Sequence, residues 1–409
     1  MNENKEWKKT MLRNRELHRY SPAMQKLFNL TEGYLTYAED YAAKGGNVVF
    51  VMGMWQALIF ACDAIPIPYT EIWTRDIYKA VEVAETHFQI PAETCSMVKA
   101  SLGDWYMRRN GPIKKLFGMG SSCEPYNMAL EVLRQYGFKV FIMDSAYRAP
   151  KANGVRYEHL LEFFKKQILE FQQFLSDGKP LNEERLAFEI RRRNRLITKY
   201  QHILSLRLDN PFYIKGFGVM CLQDGITSCF GRPDYFESVL DGLIAEMEGL
   251  SPDDRDLERV IPLVWGGGWG QNSSTLEILD QSDAAILGVV SAVSQTYRED
   301  IPPVESLARF VLDSHNAGAA VYLRQSVEKH VEAVNAKGII IYGYSGCSLE
   351  TVPREIVKDY FQQKGVPCIC LEGTFQPDPS QGQTQTRVRA FIEMLEQQKK
   401  DGCYGNLSM

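Results

Sequence analysis

No apolar run in this chain approaches the roughly 18 residues that cross a bilayer, and its start, MNENKEWKKTMLRNRELHRY, has no apolar core of the kind a secretory leader carries. The sequence therefore points to the cytoplasm and away from a membrane. Basic charge is not in excess either. The 409 residues sum to −5 at neutral pH, so nucleic acid is a poor partner. Six histidines occur without HExxH and without a pair at metal-ligand spacing, which removes the usual zinc donors. WGGGWG, Trp265 to Gly270, fits neither GxGxxG nor a P-loop, so intrinsic ATP hydrolysis has no support. It follows an apolar strand and precedes a helical pattern, which suits a close-packed turn or a backbone approach to phosphate.

What is present is an ordinary globular balance, 45% hydrophobic and 24% charged, long enough for two or three cores. Up to about Ala149, helical patterns alternate with short apolar runs such as Val48–Val51 and Lys139–Met143, an α/β texture. From about Tyr157 to Leu206 the spacing of EHLLEFFKKQILEFQQFL is helical. Arg191, Arg192, Arg193 and Arg195 follow on a second helix, where a run of like charge reads as a solvated face, with phosphate binding as the other reading. Beyond SPDDRD the α/β texture returns in ERVIPLVWGGGWG, DAAILGVV, KGIIIYGYSGCS and VPCICLEG. The expected organisation is an α/β lobe with a helical N-terminal arm over 1–150, a mainly helical segment over 151–257 and a second α/β lobe over 258–409.

Nine cysteines, an odd number, in a chain expected in the cytoplasm argue against a disulfide framework. Two of them head a repeated unit. GMGSSCEPYNMALEVLRQYGFKVFIMD around Cys123 and KGIIIYGYSGCSLETVPREIVKDYFQQKGVPCICLEG around Cys347 both run strand, glycine and serine, cysteine, helix, glycine, strand. In open parallel sheets the loops at the carboxyl ends of strands line the ligand crevice, and a helix start favours thiolate over thiol. Cys95, in PAETCSMVKASLGDW, also stands just before a helical pattern. Three thiolates from separate loops can hold three irons of a cubane and leave the fourth open; small buried cysteines filling turns remain the other reading. Cys62, Cys221, Cys229, Cys368 and Cys370 sit in apolar surroundings and read as core, while Cys403 lies in the tail.

Taken together, ETCSMVKASLG, GSSCEPYNM, YSGCSLETVPREI and EGTFQPDPSQGQTQTRVRAFIEML resemble the 2-hydroxyacyl-CoA dehydratase and benzoyl-CoA reductase family of iron–sulfur subunits, from about Asn47 to Leu395. The resemblance implies two flavodoxin-like (Rossmann-like) parallel-sheet lobes with a helical segment between them and a [4Fe–4S] cluster on Cys95, Cys123 and Cys347. It also implies an acyl-CoA substrate, a homologous iron–sulfur subunit in a homo- or heterodimer, and a separate ATP-dependent iron–sulfur activator that delivers one electron of very low potential. In such enzymes the thioester carbonyl is reduced to a ketyl radical, after which water is eliminated or, in the reductases, an aromatic ring is reduced. The resemblance assigns no further catalytic residue. Many dehydratase subunits carry a serine-rich strand end near the substrate, whereas the matching VVFVMGMWQALIF, Val48 to Phe60, has no serine or threonine. Met52, Met54 and Trp55 there suit core packing or an apolar pocket, and a reductase-type or electron-relay subunit stands as the alternative. Positions around VWGGGWG that serve a double-cubane branch lack cysteine.

Overall fold

The computed structural model describes residues 5–53, 55–119, 123–144, 155–268, 273–315, 318–375 and 381–402. Two helices, α1 (Lys5–Leu17) and α2 (Pro22–Ala43), precede a four-stranded sheet of β1 (Asn47–Val51), β2 (Ala64–Pro68), β3 (Lys115–Met119) and β4 (Lys139–Met143). All pairings are parallel and the order is β2-β1-β3-β4. Parallel neighbours need crossovers, supplied by α3 (Gln56–Ala61), by α4 (Ile77–Thr86) with α5 (Ser96–Met107), and by α6 (Glu124–Arg134). Coverage on both faces explains why the strands are continuously apolar rather than alternating. β2 reads AIPIP and is buried throughout. Its two prolines cannot serve a central strand, and it lies at the sheet edge.

Helices α7 (Val155–Leu175), α8 (Glu183–Asp209), α9 (Gly216–Ser228), α10 (Pro233–Glu248) and α11 (Asp254–Arg259) come next. The second sheet contains β5 (Ile261–Gly267), β6 (Ala284–Val290), β7 (Gly338–Tyr344) and β8 (Cys368–Gly373), again all parallel, in the order β6-β5-β7-β8. Its connections are α12 (Ser273–Asp280), α13 (Pro303–Asp313) with α14 (Ala320–Ala333), and α15 (Ser348–Gln363); α16 (Gln381–Lys400) closes the described chain. The molecule is thus an α/β protein with two flavodoxin-like lobes of identical strand order. In each, the chain reverses direction across the sheet between the first and third strands, the place where such folds open a crevice.

One apolar cluster runs through both lobes, taking in Phe50 and Leu116 from the first sheet, Leu263 and Ile340 from the second, and Met24, Leu27 and Phe28 of α2. A second lies on the other face of the first sheet, where Phe117 packs 4.2 Å from Phe171 of α7. The arginine run corrects an expectation. Arg191 and Arg195 are exposed, but Arg192 and Arg193 are buried, because successive helical residues turn by about 100° and α8 has packed neighbours on more than one side. Arg193 donates from Nε to Gln56 Oε1 at 2.7 Å and from Nη1 to the Gln295 carbonyl at 2.6 Å, with its guanidinium 4.6 Å from the Tyr297 ring centre. Among the described residues, no helix is long and apolar enough to cross a membrane.

Candidate functional site

Cys123 follows β3 and Cys347 follows β7, the third strand in the order of each sheet. Each occupies the N-cap position of the helix that leaves the sheet, α6 and α15, and Cys95 occupies that of α5. Some other helices are capped by oxygen: Ser21 accepts from Met24 N–H at 3.1 Å, Asp76 from Lys79 N–H at 3.1 Å and Asn182 from Arg185 N–H at 2.9 Å. None of the three cysteine sulfurs accepts such a capping bond. The helix starts, carrying partial positive charge, therefore act on a thiolate through the field of their N–H groups.

Small residues set how closely these turns approach. A Cβ on Gly118 of β3 would lie 2.6 Å from Asn127 Oδ1, and Asn127 Nδ2 donates to the Met119 carbonyl at 2.9 Å. The start of α6 is thereby clasped to the strand end. Gly103 of α5 permits a still closer contact, since its Cβ would fall 1.8 Å from the Ala80 carbonyl oxygen of α4. Lys99 holds the segment before Cys95 by donating to the Ala92 carbonyl and to Glu85 Oε1, both at 2.6 Å. At Cys347 the turn is fixed by its own N–H donating to the Tyr344 carbonyl at 3.0 Å, with Gly346 at φ +78°. A Cβ on Gly346 would stand 2.4 Å from the Glu93 carbonyl oxygen and 3.1 Å from Cys95 N. The Cys347 turn therefore rests directly on the Cys95 turn, across the two lobes.

Cys123 is linked to this region through Tyr126, which interacts electrostatically with both Cys123 and Tyr69. Tyr126, three residues into its helix, is fully buried, and burial, then negative charge at Cys123 and Tyr69, hold its phenol well above the ordinary range. The Tyr69 ring is 6.3 Å from that of Phe375, whose N–H donates to Ser96 Oγ at 2.6 Å, next to Cys95. Buried Cys95 and half-buried Cys123 and Cys347 all border the same apolar cluster. Among the described residues no three His, Cys, Asp or Glu side chains close on a point at metal-holding geometry. The Cys95 and Cys347 turns adjoin directly, and Cys123 is linked to them by way of Tyr126 and Tyr69. Their donor chemistry suits an iron–sulfur cluster: soft sulfur donors at three helix starts, beside a buried phenol hydroxyl that has no hydrogen-bond partner.

The other cysteines differ in kind. Burial pushes the Cys62 thiol up to about 11 and those of Cys229 and Cys370 up to about 12, and raises Cys221 and Cys368 as well. All five are core thiols that resist ionisation, as their apolar settings predict; Cys403 lies outside the described residues. Trp55 is buried, with ring centres 5.8 Å from Phe117 and 5.9 Å from Phe171, and Met52 packs at the edge of the large core; Met54 is outside the described residues. In WGGGWG, Gly267 has φ +87° and its Cβ would meet the Tyr342 carbonyl oxygen at 2.0 Å, a strand-to-strand contact that only glycine allows; Trp269 and Gly270 lie outside the described residues, as do residues 376–380 of the turn-rich segment after β8. Glu71 was not foreseen from the sequence. It is fully buried in the 3-10 turn after β2, and burial, then the charge of Asp224, raise its carboxyl well above the ordinary range against the pull of Arg75. A lone glutamate after a strand disguised by prolines carries little signal.

A profile of the family described as 2-hydroxyglutaryl-CoA dehydratase, D-component, matches residues 53–395, most of the chain. No curated protein matches it significantly.

Proposed function

The chain belongs to the 2-hydroxyglutaryl-CoA dehydratase D-component family, and from that premise we propose that Cys95, Cys123 and Cys347 hold a [4Fe–4S] cluster in an activator-dependent acyl-CoA dehydratase. Membership makes the chain a dehydratase-type component of an acyl-CoA enzyme. The observation that carries the finer reading is the contact of Gly346 with Cys95, which sets two cysteine-headed helix starts from different lobes against one another. When bound, a cluster with three cysteine ligands supplies an open iron that serves as Lewis acid and one-electron donor. The three helix starts stabilise the thiolates that bind it. Phe375, whose ring lies 6.3 Å from that of Tyr69 and 5.8 Å from that of Tyr344, keeps water from that edge. On the same carboxyl-terminal side of the first sheet, burial raises the Glu71 carboxyl well above the ordinary range and so favours its holding a proton there. A homologous subunit and an ATP-dependent iron–sulfur activator complete the system.

The test is iron and acid-labile sulfide per chain after anaerobic purification, with electron paramagnetic resonance before and after addition of 2-hydroxyacyl-CoA thioesters. About four irons per chain, with a signal altered by thioester, is the expected result. An iron-free chain that is stable in air would return the three cysteines to the core. A second reading, an electron-relay subunit, is favoured by Trp55, which fills the end of β1 with core packing where a substrate-handling hydroxyl is missing. It predicts the same iron content with a signal that no thioester alters.

A further inference from the structure

The Tyr126 hydroxyl, like that of Tyr200, is a buried group without a hydrogen-bond partner, and it stands one turn from Cys123. Its residue is 0% exposed, yet the oxygen has no hydrogen-bond partner. An orphan of this kind is destabilising by about 1–3 kcal/mol, and phenylalanine would fill the same space without it. Buried Tyr34 is served differently, its hydroxyl donating to the Pro66 carbonyl. Tyr126 is the third residue of α6, one turn from the N-cap Cys123, with Tyr69 as its other polar neighbour. Tyr69 leads through Phe375 to Ser96, beside Cys95. The hydroxyl thus lies on the side of the core that the cysteine turns border.

We propose that Tyr126 is a positioning residue whose O–H donates a hydrogen bond to a sulfur of the cluster held by Cys95, Cys123 and Cys347. This rests on the function proposed above and adds to it a determinant of cluster potential. A hydrogen bond to cluster sulfur stabilises the more negative, reduced state and so raises the potential. In the protein without cluster, the same hydroxyl has no partner to lose.

The experiment compares the full chain with its Tyr126→Phe variant, both loaded and purified anaerobically, by iron and sulfide content, by redox titration followed by electron paramagnetic resonance, and by thermal melting of the cluster-free forms. The variant is expected to keep its iron, to show a tenfold loss in the reduced-to-oxidised ratio at fixed potential, equivalent to about 59 mV toward more negative midpoint, and to melt no lower than wild type when cluster-free. Full iron with an unchanged midpoint would overturn the hydrogen bond. A cluster-free variant that melts lower, or fails to fold, would overturn it too, by showing that the hydroxyl serves the fold. If the wild-type chain takes up no iron, the functional reading itself fails, and the inference with it; the two failures are thus read from different samples.

Discussion

The two lobes share a strand order and a cysteine after the third strand, but they differ in what begins the second crossover helix between their second and third strands. In the first lobe α5 has Cys95 at its N-cap; in the second, α14 has Ala319 there. A fully repeated pattern would give four cysteines and two equivalent pairs. The departure leaves three, and Gly346 brings the second lobe's only candidate onto the first lobe's additional one. On the proposed ligand set the difference teaches that the site belongs to neither lobe alone: the first supplies two candidate ligands, the second one, and the contact between turns sets two of them against each other.

The largest expected effect breaks this asymmetry outright. Cys95→Ser, Cys123→Ser and Cys347→Ser should each abolish a stable four-iron cluster, read as iron and sulfide per chain; full retention in any one would remove that residue from the set. Next come the glycines. Gly346→Ala forces a Cβ to 2.4 Å from Glu93 O at φ +78°, and Gly267→Ala one to 2.0 Å from Tyr342 O at φ +87°, so each should lose roughly 2–4 kcal/mol in urea unfolding. Only Gly346→Ala should also lose iron, because only it separates the lobes' cysteines. Equal iron in both variants would make the Gly346 contact a matter of packing.

A third test concerns the N-terminal arm, which the second lobe has no counterpart for. His18 is buried, with Nδ1 2.8 Å from the Asn14 carbonyl and Nε2 accepting from Lys215 N–H at 3.0 Å. Both nitrogens are used by the neutral ring, and burial lowers its pKa from 6.5 to about 4. The unfolded chain takes up this proton first as pH falls. The stabilisation is therefore whole above pH 6.5 and is lost progressively toward pH 4, by roughly 3 kcal/mol. Unfolding at pH 7 and pH 4.5 should show a steeper decline for wild type than for His18→Gln; parallel declines would free the arm from this proton.

Much of this was legible beforehand for definite reasons. Parallel strands covered on both faces leave long apolar runs, so β7, GIIIYGY, and the helices after Cys123 and Cys347 announce themselves. The candidate ligands were legible because each stands where a strand or loop gives way to a helix. What one-dimensional reading could not give was contact between turns 251 residues apart, from Cys95 to Gly346, or the burial of Arg192 and Arg193, since a charged run does not reveal how many sides of its helix are packed. Glu71 was hidden with β2, whose prolines mask a strand pattern.

That masked strand gives the smallest prediction and sharpens the comparison of edges. β6, the second sheet's edge, is AAILGVV without proline, while β2 has Pro66 and Pro68. In an extended strand a residue's N–H and C=O point the same way. The Pro66 carbonyl accepts the Tyr34 hydroxyl of α2, so its nitrogen faces away from β1 and the ladder misses no donor. Pro66→Ala should then act mainly by loosening the unfolded chain, a loss of about 0.5–1 kcal/mol in urea unfolding. A loss of several kcal/mol would mean that the ring's contact with α2, and not its effect on chain entropy, seals this edge, and the two lobes would differ in how their edges are closed as well as in where their cysteines stand.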